Sequence, residues 1–337
     1  MSQYSSIQLT EIFIQIRSTN ITLENYEEYA LQIKSVISKP SQNLYIKRVT
    51  SYHVIPSGAY YVSNDIIVEE GAELVVEPGV FLYFAQGKGI VSYGKLSLNG
   101  TPENLILITG DKWANISILT ESSNNSKIVN TIIEGGQGRS AVPYNDDTFM
   151  SSNNSLLGGN LYIEDSHLIM KNCFILNGYA EFGGGSFIYE SSVDIDNITV
   201  FNNMGKPGAG GIELSRLRYN RILNKPSIIK NSKIIKNSSF FYGGIRVDHG
   251  NLIMNNLLIK YNSSNFHGGI YIERGSRVDF SVTRLINSVI EENTGGTCGG
   301  LYCSDYEPYS EDIITNLIRN NFSNTGDSPN LQHSIIN

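Results

Sequence analysis

The chain repeats itself at a spacing of 25 residues, and few folds accommodate that. Between Ile234 and Ile272 one unit occurs twice: an apolar residue, two variable residues, an Asn, five more residues, then Gly-Gly and a short β-rich run. Asn237 and Asn262 lie 25 residues apart, and so do Gly243-Gly244 and Gly268-Gly269. A fixed period of this length points to a solenoid, in which each unit buries its apolar side against the next.

The unit recurs. Its apolar-x-x-Asn element stands at Phe174–Asn177, Val200–Asn203, Ile234–Asn237, Ile259–Asn262, Ile290–Asn293 and Ile318–Asn321. Gly-Gly begins at Gly158, Gly183, Gly210, Gly243, Gly268 and Gly299. From each Asn to the next Gly-Gly the distance is six or seven residues, whereas the return varies from 18 to 26. One corner of the coil is thus fixed in length and another takes insertions. After Gly-Gly come Ile212-Glu213-Leu214, Ile245-Arg246-Val247, Ile270-Tyr271-Ile272 and Leu301-Tyr302-Cys303. This alternation with period two predicts strands with Ile, Leu and Val inward. A coil of about 25 residues holds three short strands and three turns, each strand pairing about 4.8 Å away with its equivalent in the next coil. The fold class is therefore all-β, a parallel β-helix. The repeated Asn177, Asn203, Asn237, Asn262, Asn293 and Asn321 predict an inward-facing ladder of amides. On the outer face Glu213, Arg246, Tyr271 and Tyr302 hold one equivalent position. That predicts an ion pair between Glu213 and Arg246, and a cation–π contact between Arg246 and Tyr271.

Gly-Gly-Ile paired with apolar-x-x-Asn is similar to the paired GGA-I/L/V and FxxN repeats of polymorphic outer membrane proteins, within the pectin-lyase-like class. Phe174-Ile175-Leu176-Asn177 is the closest local match; Ile or Leu directly follows Gly-Gly in four units where the family has Ala. The resemblance spans roughly residues 128–321. It implies a single-stranded right-handed parallel β-helix at the cell surface or outside the cell, acting in adhesion. It supplies no catalytic residue.

Residues 1–55 read as an N-terminal strand and helix segment, and 56–337 as the repeat domain. Residues 7–18 read as strand. Thr22 to Ile37 reads as a short amphipathic helix, with Tyr26, Ala30, Ile33 and Ile37 near helical spacing and Pro40 as the stop. Such a helix is expected to cap the open end of the first coil. The C-terminal TGDSPNLQHSIIN offers no closing helix, which predicts that the chain continues or pairs there.

The formal net charge of −7 argues against nucleic acid as a partner. No apolar run reaches the roughly 18 residues of a transmembrane segment. No signal peptide is visible, and no cofactor motif or metal-ligand spacing of the histidines. Cys173, Cys298 and Cys303 are too few for a disulfide framework. Three acidic features are candidates for catalysis or calcium: Asp194 with Asp196, Asp146-Asp147, and Asp248-His249-Gly250. No further acid joins Asp194 and Asp196 at a coil multiple, so a solvated outer face outweighs a site there; Asp146-Asp147 reads as a polar loop, and Asp248-His249-Gly250 as a repeat turn whose counterpart is Glu273-Arg274-Gly275. One insertion stands out as a ligand-binding loop. Arg216, Arg218, Arg221 and Lys225 bring four cations into ten residues of an acidic chain, and Tyr219 adds a stacking ring. The expected function is non-enzymatic adhesion, recognition or scaffolding, with glycans or an extracellular protein as partner. The alternative is a carbohydrate-active β-helix enzyme, a lyase or glycoside hydrolase.

Overall fold

A computed structural model describes residues 28, 37–140, 155–217, 226–273, 283–304, 313–314, 316–323 and 331–332. Every strand pairing between named strands in it is parallel. Three sheets run the length of the molecule. Sheet 1 has 11 strands, from Arg48–Val49 to Leu331–Gln332; sheet 2 has ten, from Tyr52–Ile55 to Ile313–Ile314; sheet 3 has ten, from Ala59–Val62 to Leu317–Arg319. The chain visits sheets 1, 2 and 3 in turn and then begins the next coil. From Tyr179–Ala180 onward a fourth ladder of six two-residue strands lines the corner between sheets 3 and 1. This is the stacked parallel solenoid that the period predicts.

Alternation explains the core. In the strand Ile245–Gly250, Ile245 and Val247 point in and Arg246 and Asp248 point out. Repeated on each strand, this builds one continuous apolar core from Val49 to Cys303. Trp113 lies inside it, stacked on Phe84 at 5.7 Å, with its indole N–H donating 2.7 Å to the Glu134 carbonyl. The three cysteines are buried.

The corners turn on left-handed residues. After sheet 2 the position is Asn in six coils: Asn130, Asn172, Asn197, Asn231, Asn256 and Asn287, with φ between 46° and 56°. Asn tolerates this region better than other side-chain-bearing residues.

One corner carries the buried amide ladder. Asn203, Asn237, Asn262, Asn293 and Asn321 are buried. Asn203 Nδ2 donates 2.9 Å to Asn237 Oδ1, Asn237 Nδ2 3.0 Å to Asn262 Oδ1, Asn262 Nδ2 2.9 Å to Asn293 Oδ1, and Asn293 Nδ2 2.9 Å to Asn321 Oδ1.

Asn177 is not in that ladder. The register pairs Leu176 with Phe201, so Asn177 stands opposite Asn202, one position short of Asn203. It takes the left-handed turn position, accepts 2.7 Å from Asn202 Nδ2 and donates 3.0 Å to Glu134 Oε1. The ladder position in its coil is Gly178, whose N–H donates 2.7 Å to Asn203 Oδ1. Side chain is supplied there from across the corner. Asn160 precedes the strand Leu161–Glu164 and donates 2.9 Å to the Leu176 carbonyl and 3.2 Å to Asn203 Oδ1. A Cβ at Gly178 would stand 2.5 Å from Asn160 Nδ2. In the next coil the register puts Gly185 where Asn160 stood, and a Cβ there would crowd Asn203 Nδ2 at 3.1 Å. Asn on one side of the corner thus requires Gly on the other, which is why Gly-Gly travels with the repeated Asn.

The expected helix over Thr22–Ile37 lies, Glu28 and Ile37 apart, outside the described residues.

Candidate functional site

Four neighbouring strands of sheet 1 present two outward columns: Ile212–Leu217, Ile245–Gly250, Ile270–Glu273 and Leu301–Ser304. The first column is Glu213, Arg246, Tyr271, Tyr302; the second is Ser215, Asp248, Glu273, Ser304. Beside them, just before each strand, the corner aligns Tyr242, His267 and Cys298.

Rings accumulate at this edge. Tyr271 and Tyr302 stack at 5.5 Å and 7°, and Tyr242 and His267 at 5.8 Å and 13°. Tyr242 meets Tyr271 at 4.6 Å, and His267 meets Tyr302 at 4.3 Å. Phe266 continues the set, 5.7 Å from Phe240 and 5.1 Å from Phe241. Phe240 is 45 % and Phe266 38 % exposed. The parallel register is the cause: equivalent positions stand one strand spacing apart, close to ring-stacking distance. The result is a ribbed aromatic platform open to solvent at its Phe end.

The charges beside the rings are tied together by Arg246. Its Nη1 lies 2.7 Å from Glu213 Oε1, and its Nη2 3.3 Å from Glu273 Oε2 and 3.7 Å from Asp248 Oδ2. Glu213 is buried at 1 % exposure, and its other oxygen accepts from the Gly183 and Ala209 N–H groups at 3.1 and 2.9 Å. The ion pair expected from sequence is therefore present. The cation–π contact is not with Tyr271: the guanidinium lies 5.1 Å from the Tyr242 ring, which the corner delivers four residues before Arg246. Asp248 also accepts 2.9 Å from Ser215 Oγ and contacts His249 Nδ1. Three carboxylates around one guanidinium leave the flank of the platform acidic.

Burial pulls the His267 imidazole down to about 4. Its Nδ1 is buried with no hydrogen-bond partner. The unfolded chain takes up that proton near pH 6.5, the folded chain only near 4, so the unfolded state binds more protons in between. Stability therefore falls as pH drops through that window. His267→Phe keeps the stacking and removes the titration. We expect the variant to recover about 1 kcal/mol relative to the parent at pH 5, and nothing at pH 8. Urea midpoints of both proteins at the two pH values measure this, and parallel pH profiles would refute it.

Of the basic insertion, Arg216 alone is described. It takes a left-handed conformation within the strand Ile212–Leu217, 3.2 Å from Tyr189 Oη and 3.5 Å from Glu190, with its guanidinium 5.9 Å from the Tyr189 ring. Arg218, Tyr219, Arg221 and Lys225 lie outside the described residues, as do Asp146 and Asp147. Asp196 is engaged on sheet 2, with Lys230 at 3.5 Å and Asn231 Nδ2 at 2.8 Å. Among the described residues no group of three or more His, Cys, Asp or Glu is placed to hold a metal, and no helix is long and apolar enough to cross a membrane.

The repeat alone does not announce the platform, because its rings come from a corner and a strand in successive coils. The available signal was the run Phe240-Phe241-Tyr242 recurring as Phe266-His267 at the same place before Gly-Gly, in coils that also carry Tyr271 and Tyr302. No family model, curated protein or solved structure matches this chain.

Proposed function

We propose that this chain is a right-handed β-helix of the pectin-lyase-like class, with repeats of the polymorphic outer membrane protein type. In this reading it acts at the cell surface or outside the cell as a non-catalytic recognition module. The observation that carries the recognition role is the aromatic platform. Exposed, mutually stacked rings that a folded protein leaves open mark a contact surface, and ring faces suit the C–H faces of sugars. The acidic flank around Arg246 disfavours anionic ligands, so the ligand class is glycans with neutral rings.

A glycan array at moderate salt tests this with three proteins: the parent, Tyr271→Ala with Tyr302→Ala, and Arg216, Arg218 and Arg221 changed together to Ser. The parent is expected to retain neutral glycans, and the double variant to lose at least about tenfold, or about 1.4 kcal/mol. Loss confined to the triple variant would move the site to the basic loop. No retention by the parent would remove glycan recognition, and equal retention by all three would remove the platform and the loop as its site.

One observation favours a second reading, a carbohydrate-active enzyme. Asp248 and Glu273 face each other on neighbouring strands of the same outer face. One strand spacing of about 4.8 Å approaches the about 5–5.5 Å carboxyl separation of retaining glycosidases. Against it, Arg246 pairs with both, so the carboxyl oxygens are engaged within the protein. Product release from a retained glycan, abolished by Asp248→Asn with Glu273→Gln, would favour the enzyme.

A further inference from the structure

The outer face of sheet 2 carries a column with an apolar middle. Its register aligns Lys127, Ile169, Asp194, Ile228, Ile253 and Arg284 on successive strands. The chain neighbours Val193, Ile229, Met254 and Leu285 belong to the core, so alternation sets the column outside. Ile169, Ile228 and Ile253 are half-buried there, and Lys127 and Arg284 are exposed. A sheet face that meets only water carries polar residues at such positions. A hydrogen-bonded border runs beside the column, along the corner that follows sheet 2. Asn197 Nδ2 donates 2.9 Å to Asn172 Oδ1, Asn231 Nδ2 2.8 Å to Asp196 Oδ1, and Asn256 Nδ2 2.8 Å to Asn231 Oδ1. The face is thus held in shape before anything docks on it, which lowers the entropy lost on association.

The order of charges along the column singles out the partner. Over four successive strands it reads acid, Ile, Ile, base: Asp194, Ile228, Ile253, Arg284. A two-fold rotation about a line between the strands Ser227–Lys230 and Leu252–Asn255 lays this run on its own reverse. Ile228 then meets the partner's Ile253, and Asp194 meets the partner's Arg284, each contact made twice by symmetry. The next outward column reads Asp196, Lys230, Asn255, Ile286, and the same rotation sets Lys230 on the partner's Asn255, with no like charges facing. Neighbouring settings lose the match. Half a coil toward Ile228, the axis sets Arg284 on the partner's Ile169; half a coil more, it sets Arg284 on the partner's Lys127. Within one chain Asp194 and Arg284 stand three strand spacings apart, about 14 Å, so this pairing belongs to two copies. We propose that sheet 2 is a docking face for a second copy of this chain, with the two solenoids antiparallel and the sheets about 10 Å apart. The overlap runs from the strand His167–Lys171 to Ile313–Ile314, six strands. That is about 29 Å by 15 Å on each copy, at the small end of specific interfaces, so the dimer exchanges with monomer. Sheet 1 stays outside the contact, and the dimer presents its aromatic platform twice.

Sedimentation equilibrium of the full chain, up to about 100 µM and without any glycan, tests this. The parent is expected to dimerise. Asp194→Lys and, separately, Arg284→Glu are each expected to weaken the dimer at least about tenfold, because each sets like charges against one another. The two changes together restore opposite charges at both contacts, and the dissociation constant is expected to return to within about threefold of the parent. Photocrosslinking reads the same contact without altering a charge. A benzoylphenylalanine in place of Ile228 is expected to give an adduct at dimer mass on the strand Leu252–Asn255. A parent that stays monomeric over the whole range, or a dimer that both single variants leave intact, would overturn the proposal. So would a double variant no tighter than the singles, or dimer adducts confined to other sheets.

Discussion

Replacing Asn262 with Ala is expected to lower stability by about 3 kcal/mol. The amide of Asn262 is fully used. Its Oδ1 accepts from the N–H of Asn237 at 2.9 Å and from Asn237 Nδ2 at 3.0 Å; its Nδ2 donates 2.8 Å to the Ile234 carbonyl and 2.9 Å to Asn293 Oδ1. Alanine removes four bonds and leaves a backbone N–H, a carbonyl and an amide hydrogen buried without partners. Each such group costs about 1–3 kcal/mol where nothing relaxes, and water or local shifts recover part of the sum. Asn177→Ala serves as the control, because that residue takes an exposed-side turn position. Its loss is expected to stay near 1 kcal/mol. Urea midpoints measure both, and equal losses would show the buried ladder to carry no special weight.

Arg246→Met is expected to cost about 3–4 kcal/mol. It strands the carboxylate of Glu213 at 1 % exposure, with two backbone N–H groups as its remaining bonds. Burial already pushes that carboxyl above its ordinary range, against the pull of Arg246 and those N–H groups. Without Arg246 it rises further. The folded variant then holds a proton that the unfolded chain releases near pH 4.3. Between that pH and the raised value the folded state binds more protons, so the variant loses stability as pH rises. The deficit relative to the parent is therefore expected to be larger at pH 8 than at pH 5, and taking the difference cancels the contribution of His267. Glu213→Met combined with Arg246→Met is expected to recover most of the loss, since no buried charge remains. A deficit independent of pH, or a double variant no better than the single, would show that Glu213 is not the stranded group.

Most of the fold was legible because a parallel solenoid writes its contacts locally. Equivalent positions recur along the chain, so the pairing of Glu213 with Arg246 followed from spacing alone. The single misplacement in the ladder, Asn177, has a local cause. The sequence Leu176-Asn177-Gly178 offers an Asn one place early, and apolar-x-x-Asn matches at either of two offsets. Only the strand register, Leu176 on Phe201, decides between them. Asn160 escaped the reading for a related reason, because it bonds across a corner to residues 16 and 43 positions away.

The sequence by itself determined the coil, its inward face and the Asn-bearing corner, since these depend on period-two alternation and on a spacing that each repeat restates. Tertiary structure decided what lies next to what on the outside. Alternation makes Phe81 and Phe174 outward, and nothing in the repeat says that they are buried. The platform was equally invisible, because Tyr242, His267, Tyr271 and Tyr302 converge from two elements in three coils. Core positions are fixed by a periodicity that one strand displays alone. Surface sites are fixed by distances between coils, and those exist only once the coils are stacked.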